Sequence, residues 1–260
     1  MTQLEQARHG AITKEMDEVA SAENIKPKIL RQRIEDGTVV IPASKKHPNL
    51  KPIGIGSGLK TKVNANIGSS PNKADISLEL EKLRVSIESG AHTVMDLSTG
   101  GNIDEIRQTI IENSQVPVGT VPIYQAAIEK GDITEVAEED IFNVIKKQIK
   151  GGVDFITVHC GVNKKCMPLV KKRLSGVVSR GGSMLLKWMA HNDKENPLYE
   201  NFDKLLRLAH DNDVTLSLGD GLRPGCLKDS TDKAQLYELK VLGELTEKAW
   251  KEGIQVIIEG

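Results

Sequence analysis

Polar or polarisable residues stand at the ends of several short apolar runs of this chain: Asn64 and Asn66, Met95 and Asp96, Tyr124, His159, Ser179 and Arg180, Asp220 and Arg223, and Glu259. Any one of them has an ordinary explanation, because a polar side chain there caps a strand or satisfies loop backbone. Together they supply amide donors, an imidazole, carboxylates and two guanidinium groups. That set suits a small, anionic, heteroaromatic ligand.

Two of the positions lie in glycine turns. Ser179-Arg180-Gly181-Gly182 precedes an expected helix over 183–191, and Asp220-Gly221-Leu222-Arg223-Pro224-Gly225 is a second turn with its own arginine. Glycines let backbone approach a phosphate, a helix N-terminus favours an anion, and a guanidinium adds a two-pronged donor. The alternative is a pair of ordinary turns with a surface Asp–Arg pair worth about 0–1 kcal/mol. His159 follows four strand-like residues; a lone histidine there is more often structural, and as a ligand or acid–base group it would titrate near neutrality. The histidines at 9, 47, 92, 191 and 210 have no ligand spacing. Lys171-Lys172-Arg173 reads as a solvated face, and Trp188 and Trp250 as packing residues.

These residues need a scaffold that brings distant stretches together. From about residue 60, β-branched runs alternate with amphipathic stretches. The runs are 63–67, 93–97, 116–121, 155–159, 176–179, 214–218 and 255–259; expected helices include 78–89, 103–113, 138–150 and 235–251. Alternation at this spacing gives a parallel sheet with covering helices. The fold class is α/β, a (β/α)8 barrel of the TIM type with about seven of its eight strands, in which chemistry sits where strands end. A doubly wound open sheet is the alternative. Residues 1–55 form a small helical segment, with Thr13 capping a helix that buries Met16, Val19 and Ala20 and a second helix stopping at Gly37; residues 56–260 form the barrel.

The bulk properties narrow the partners. Of 260 residues, 35 are basic and 36 acidic, for a net charge of -1, so neither nucleic acid nor a membrane surface is an expected partner. No apolar run approaches the ~20 residues of a spanning helix. The start, Met1-Thr2-Gln3-Leu4-Glu5, has no signal-peptide pattern, which predicts a cytoplasmic protein. The three cysteines, Cys160, Cys166 and Cys226, match neither a disulfide framework nor a metal knuckle.

Several stretches resemble the phosphomethylpyrimidine synthase (ThiC) family. They are Asn64-Ala65-Asn66-Ile67-Gly68, Val94-Met95-Asp96-Leu97-Ser98-Thr99-Gly100 and Val118-Gly119-Thr120-Val121-Pro122-Ile123-Tyr124-Gln125, then Val177-Val178-Ser179-Arg180-Gly181-Gly182, Ser217-Leu218-Gly219-Asp220-Gly221-Leu222-Arg223-Pro224-Gly225 and Leu242-Gly243-Glu244-Leu245-Thr246. The resemblance implies a (β/α)8 barrel and a radical S-adenosylmethionine rearrangement. In it, 5-aminoimidazole ribotide becomes the hydroxymethylpyrimidine phosphate of thiamin, with formate and carbon monoxide released. It also implies that Asn66, Met95, Tyr124, His159, Ser179, Arg180, Gly181, Asp220, Gly221, Leu222, Arg223 and Glu259 bind that substrate. Arg180 and Arg223 are expected near the phosphate, and Asn66, Tyr124 and His159 near the imidazole or ribose.

The family's [4Fe-4S] cluster sits on a C-terminal Cys-x-x-Cys-x-x-x-x-Cys motif, and its divalent metal, zinc, on histidines beyond the equivalent of Glu259. Neither is present in these 260 residues, so the chain reads as a fragment or a truncated gene product, and as inactive alone. Family members resemble homodimers. Two other readings remain: the related 5-hydroxybenzimidazole synthase of cobamide biosynthesis, which starts from the same ribotide, and a non-catalytic ribotide-binding protein.

Overall fold

The computed structural model describes residues 1–260. Three short helices open the chain: α1 (Gln3–Arg8), α2 (Lys14–Ala22) and α3 (Pro27–Glu35). Each start has a local cause. The Thr2 hydroxyl accepts the Glu5 N–H while the Glu5 carboxylate accepts the Thr2 N–H, and Thr13 accepts the Met16 N–H. Met16, Val19 and Ala20 are buried, as the stripe predicts. α3 begins on Pro27 and stops before Gly37, whose φ of +71° and closeness to the Trp250 ring leave no room for a side chain. A two-stranded antiparallel ribbon, β1 (Val39–Val40) with β2 (Ile55–Gly56), closes the segment.

Between those strands the chain crosses the N-terminal ends of the main sheet. Ile41 exchanges hydrogen bonds with the Gln255 amide at 2.8 and 3.0 Å, and the Ser44 N–H reaches Asp154 at 2.8 Å. Asp154 also accepts from His47 at 2.8 Å and from the Val118 N–H at 2.7 Å. Asp154 and the His47 ring are both buried. Burial alone would lower the histidine's pKa, but the adjacent carboxylate outweighs it and holds it above the ordinary value.

The main sheet has six parallel strands in sequence order: β3 (Asn64–Ile67), β4 (Thr93–Asp96), β5 (Val118–Thr120), β6 (Phe155–Val158), β7 (Thr215–Leu218) and β8 (Val256–Ile258). The helices between them are α4 (Ile76–Glu88), α5 (Ile103–Asn113), α6 (Pro122–Lys130), α7 (Glu138–Gly151), α8 (Met167–Val170), α9 (Arg180–Asn192), α10 (Pro197–Glu200), α11 (Phe202–Asn212) and α12 (Lys233–Lys251). The outward side chains, among them Val94, Val118, Ile156, Leu216 and Val256, are buried under the helices in one cluster of 43 residues. Each such side chain contributes about 1.5–3 kcal/mol.

The strand count corrects one expectation. The run 176–179 is not a strand: β6 pairs directly with β7, Phe155 opposite Thr215 through Val158 opposite Leu218, which leaves no place between them. Val178 is half exposed, and the run leads straight into α9. The sheet is therefore an incomplete barrel of six strands, with β3 and β8 each paired on one side. It curves strongly, because inward side chains of β3 and of β8 line the same cavity. No helix is long and apolar enough to cross a membrane.

Candidate active site

The cavity runs along the inner face of the sheet, from the first residues of β3, β4 and β6 to the C-terminal ends of the strands, where a parallel barrel carries its chemistry. Its volume is about 480 Å³ and 17 residues line it. Strand parity builds it, since alternate side chains share one face. Asn64 and Asn66 come from β3, Thr93 and Met95 from β4, Thr157 with His159 from β6 and its end, Ser217 from β7, and Ile257 with Glu259 from β8 and its end. Phe155 supplies the floor: in-register Gly119 lies beneath its ring, where any Cβ would overlap it.

Of the residues singled out in the sequence, Asn66, Met95, Tyr124, His159, Asp220, Arg223 and Glu259 all line this cavity. The Glu259 carboxylate accepts from Ser217 at 2.6 Å and Thr157 at 3.0 Å, so two hydroxyls hold it in place. The Arg223 guanidinium meets Asp220 at 2.8 Å within one turn and stays 42% exposed, so its remaining donors are available. Burial lifts the Tyr124 phenol above its usual range, opposed by Arg180 and Arg223.

His159 is held by backbone. Its ring is pressed between Gly181 and Gly219: a Cβ on the first would overlap the ring, and one on the second would lie 3.0 Å from it. Its Nδ1 is sealed with no partner, so the ring nitrogen with access to the cavity is Nε2. Burial, reinforced by the Arg223 charge, pushes its pKa down to about 4. The imidazole is thus neutral near pH 7, offering a hydrogen bond and no charge, whereas the sequence had it titrating near neutrality if it served as a ligand or acid–base group.

Ser179, Arg180, Gly181, Gly221 and Leu222 stand behind or beside the cavity and do not line it. Ser179 caps α9 by accepting the Gly182 N–H at 3.2 Å. The Arg180 guanidinium lies 4.8 Å from the Tyr124 ring centre and has no carboxylate partner. Gly181 backs onto His159, Gly182 is too close to the Gly221 carbonyl to carry a side chain, and a Cβ on Gly221 would overlap the Val162 side chain. These glycines therefore serve close packing of α9 against the 219–222 backbone. Leu222 is fully buried. Asp96 faces the opposite side of β4, where it is buried and bonded to Ser98.

Sequence reasoning missed Lys62, Thr157 and Ser217. Lys62 reaches the cavity while paired with Glu23 at 2.7 Å, tying α2 to the site. Inward parity signals Thr157 and Ser217, once the strands are placed. It also misread Arg173, which is buried and pairs with Asp232 at 2.8 Å instead of facing solvent.

Cys160 and Cys166, both buried, do not fit an iron–sulfur cluster, whose ligands are thiolates. Burial pushes the Cys160 thiol far up and the Cys166 thiol up to about 11, and Cys166 donates to the Asn163 carbonyl. No three His, Cys, Asp or Glu side chains gather as a metal site.

The sequence profile of the Radical SAM ThiC family matches residues 2–260. The chain belongs to that family. Among relatives, the phosphomethylpyrimidine synthase of Caldanaerobacter subterraneus subsp. tengcongensis is 56% identical over 266 residues, and that of Desulforamulus reducens 54% identical over the same length. The phosphomethylpyrimidine synthase 2 of Syntrophotalea carbinolica is 52% identical over 267 residues. In each case the match covers 100% of this chain and 62% of the relative, so the chain spans less than two thirds of these family members. Among solved structures, a dihydropteroate synthase of Xanthomonas albilineans covers 84% of this chain and 92% of its own at 10% identity, with a TM-score of 0.31, too slight a likeness to inform the site.

Proposed function

We propose that residues 1–260 form the substrate pocket of a phosphomethylpyrimidine synthase, the enzyme that converts 5-aminoimidazole ribotide to 4-amino-2-methyl-5-(phosphomethyl)pyrimidine for thiamin, releasing formate and carbon monoxide. The observation that carries this is the gathering of Asn66, Tyr124, His159, Asp220, Arg223 and Glu259, drawn from five separate stretches, around one cavity of about 480 Å³. A cavity of that size suits a small, largely enclosed ligand. Arg223, in the cavity, receives the phosphate, and Arg180, beside it against the Tyr124 ring, adds its charge. Neutral His159, Asn66 and Tyr124 orient the imidazole and ribose by hydrogen bonds, and Glu259, fixed by two hydroxyls, takes an amino or hydroxyl donor. The division into a helical segment over 1–55 and a barrel over 56–260 belongs to the same reading.

S-adenosylmethionine, a [4Fe-4S] cluster and zinc belong to the proposed whole reaction, as do a homodimeric assembly and a cytoplasmic location. This polypeptide alone is expected to bind ribotide without cleaving S-adenosylmethionine; release of 5′-deoxyadenosine from the purified 260-residue chain would overturn that. The names of the relatives favour a pyrimidine product over a benzimidazole. Calorimetric titration with the ribotide tests the pocket. Arg223→Ala should weaken binding at least about tenfold, and an unchanged affinity would remove Arg223 from the ligand.

A further inference from the structure

The Asp220–Arg223 turn is fastened from behind by groups that never reach the cavity. Glu238 of α12 is 2% exposed, and its Oε2 accepts the Leu222 N–H at 2.7 Å. Its Oε1 has no partner, and a Cβ on Gly221 would lie 3.1 Å from that atom. On the carbonyl side stands the Arg173 guanidinium. It donates to the Leu222 carbonyl at 2.5 Å and the Arg223 carbonyl at 3.2 Å while bonded to both Asp232 oxygens at 2.8 Å. The N–H of the turn is thus held from α12, and its carbonyls by Arg173, which is itself anchored on Asp232, the N-cap of the same helix.

A buried carboxyl with one oxygen unpartnered is unfavourable on stability grounds alone. An apolar side chain on that face of α12 would pack there at lower cost. The charged neighbours of the carboxyl are Asp220 on the turn and Arg173 behind it, with the Cys160 and Cys166 thiols nearby. Burial, with Asp220 adding to it, pushes its pKa up to about 7. Its one good contact is with the backbone that carries Arg223.

We infer that Glu238 is a positioning residue of this site: by holding the Leu222 amide it sets where the adjacent Arg223 stands in the cavity. This rests on the ribotide reading of the cavity, since the role is expressed through ligand affinity. Displacement of a contacting group by about 1 Å is enough to weaken its interactions severely.

Ribotide titrations of the intact protein, with melting curves for every variant, test the role. Glu238→Leu removes the acceptor and should weaken binding about tenfold, whereas Glu238→Gln keeps an acceptor and should stay within about twofold. The double variant Glu238→Leu with Arg223→Ala should bind no more weakly than Arg223→Ala alone, because the lost position matters only through the arginine. Should Glu238→Leu fail to fold, Glu238→Asp, one methylene short of the Leu222 amide, carries the same expectation. Ribotide binding that Arg223→Ala weakens and Glu238→Leu leaves intact overturns the role alone, as does a double variant weakened by the full product of the two factors. No binding by the unaltered protein overturns the ribotide reading, and the role with it.

Discussion

At the scale of single residues, the site is governed by how closely backbone approaches side chains. Gly181 lies against the His159 ring, so Gly181→Ala must push the imidazole or α9 aside. Overpacking of this kind costs about 1–3 kcal/mol, and both the melting temperature and ribotide affinity should fall. His159 has a pKa of about 4, lowered from 6.5 by burial. Between those values the unfolded chain binds the proton and the folded one does not, so stability rises with pH across that window and is lost as pH falls toward 4. The loss is on the order of 3 kcal/mol. Denaturant unfolding of His159→Gln between pH 4 and 7 should show this slope flattened; an unchanged slope would assign it to other groups. Glu238 has the opposite sign. Its pKa is raised from 4.5 to about 7, so its contribution worsens as pH rises between those values, and Glu238→Gln should gain stability relative to the unaltered protein at pH 8.

At the scale of elements, local signals were legible and pairings were not. The Thr13 cap, the Met16, Val19 and Ala20 stripe, the stop at Gly37 and the six true strands all follow from short-range chemistry. The run 176–179 has the β-branched composition of a strand, but a strand exists only where a neighbour offers its backbone, and β6 already holds β7. Arg173 looked solvated beside two lysines because its partner Asp232 is 59 residues away. The strand-end side chains were readable as a set, since polar residues after apolar runs are visible in sequence. That Ser179, Gly181 and Leu222 support the cavity without lining it depends on packing between distant segments. The same holds for Asp154, which fastens residues 44–47 beneath the sheet through His47, Ser44 and Val118. Asp154→Ala leaves a buried imidazole and two backbone amides without an acceptor, a loss of about 3–5 kcal/mol, and a lowered melting temperature with early loss of α1–α3 helicity should follow.

At the scale of the molecule, the curved sheet has two open edges, β3 and β8. Val63 and Ile258 beside them are 55% and 42% exposed. Unpaired backbone flanked by apolar side chains is a template for self-association. Light scattering of the 260-residue polypeptide should show association that grows with concentration, and Ile258→Lys should suppress it. A scattering signal indifferent to that substitution would place the association elsewhere.

The floor of the cavity is a shared allotment of volume between two neighbouring strands. Gly119 has no side chain because the Phe155 ring occupies its share. Depth beneath the ligand is therefore a joint property of the two positions: enlarging one demands shrinking the other, and a pocket for a bulkier or slimmer ring would arise by exchanging sizes across that single rung.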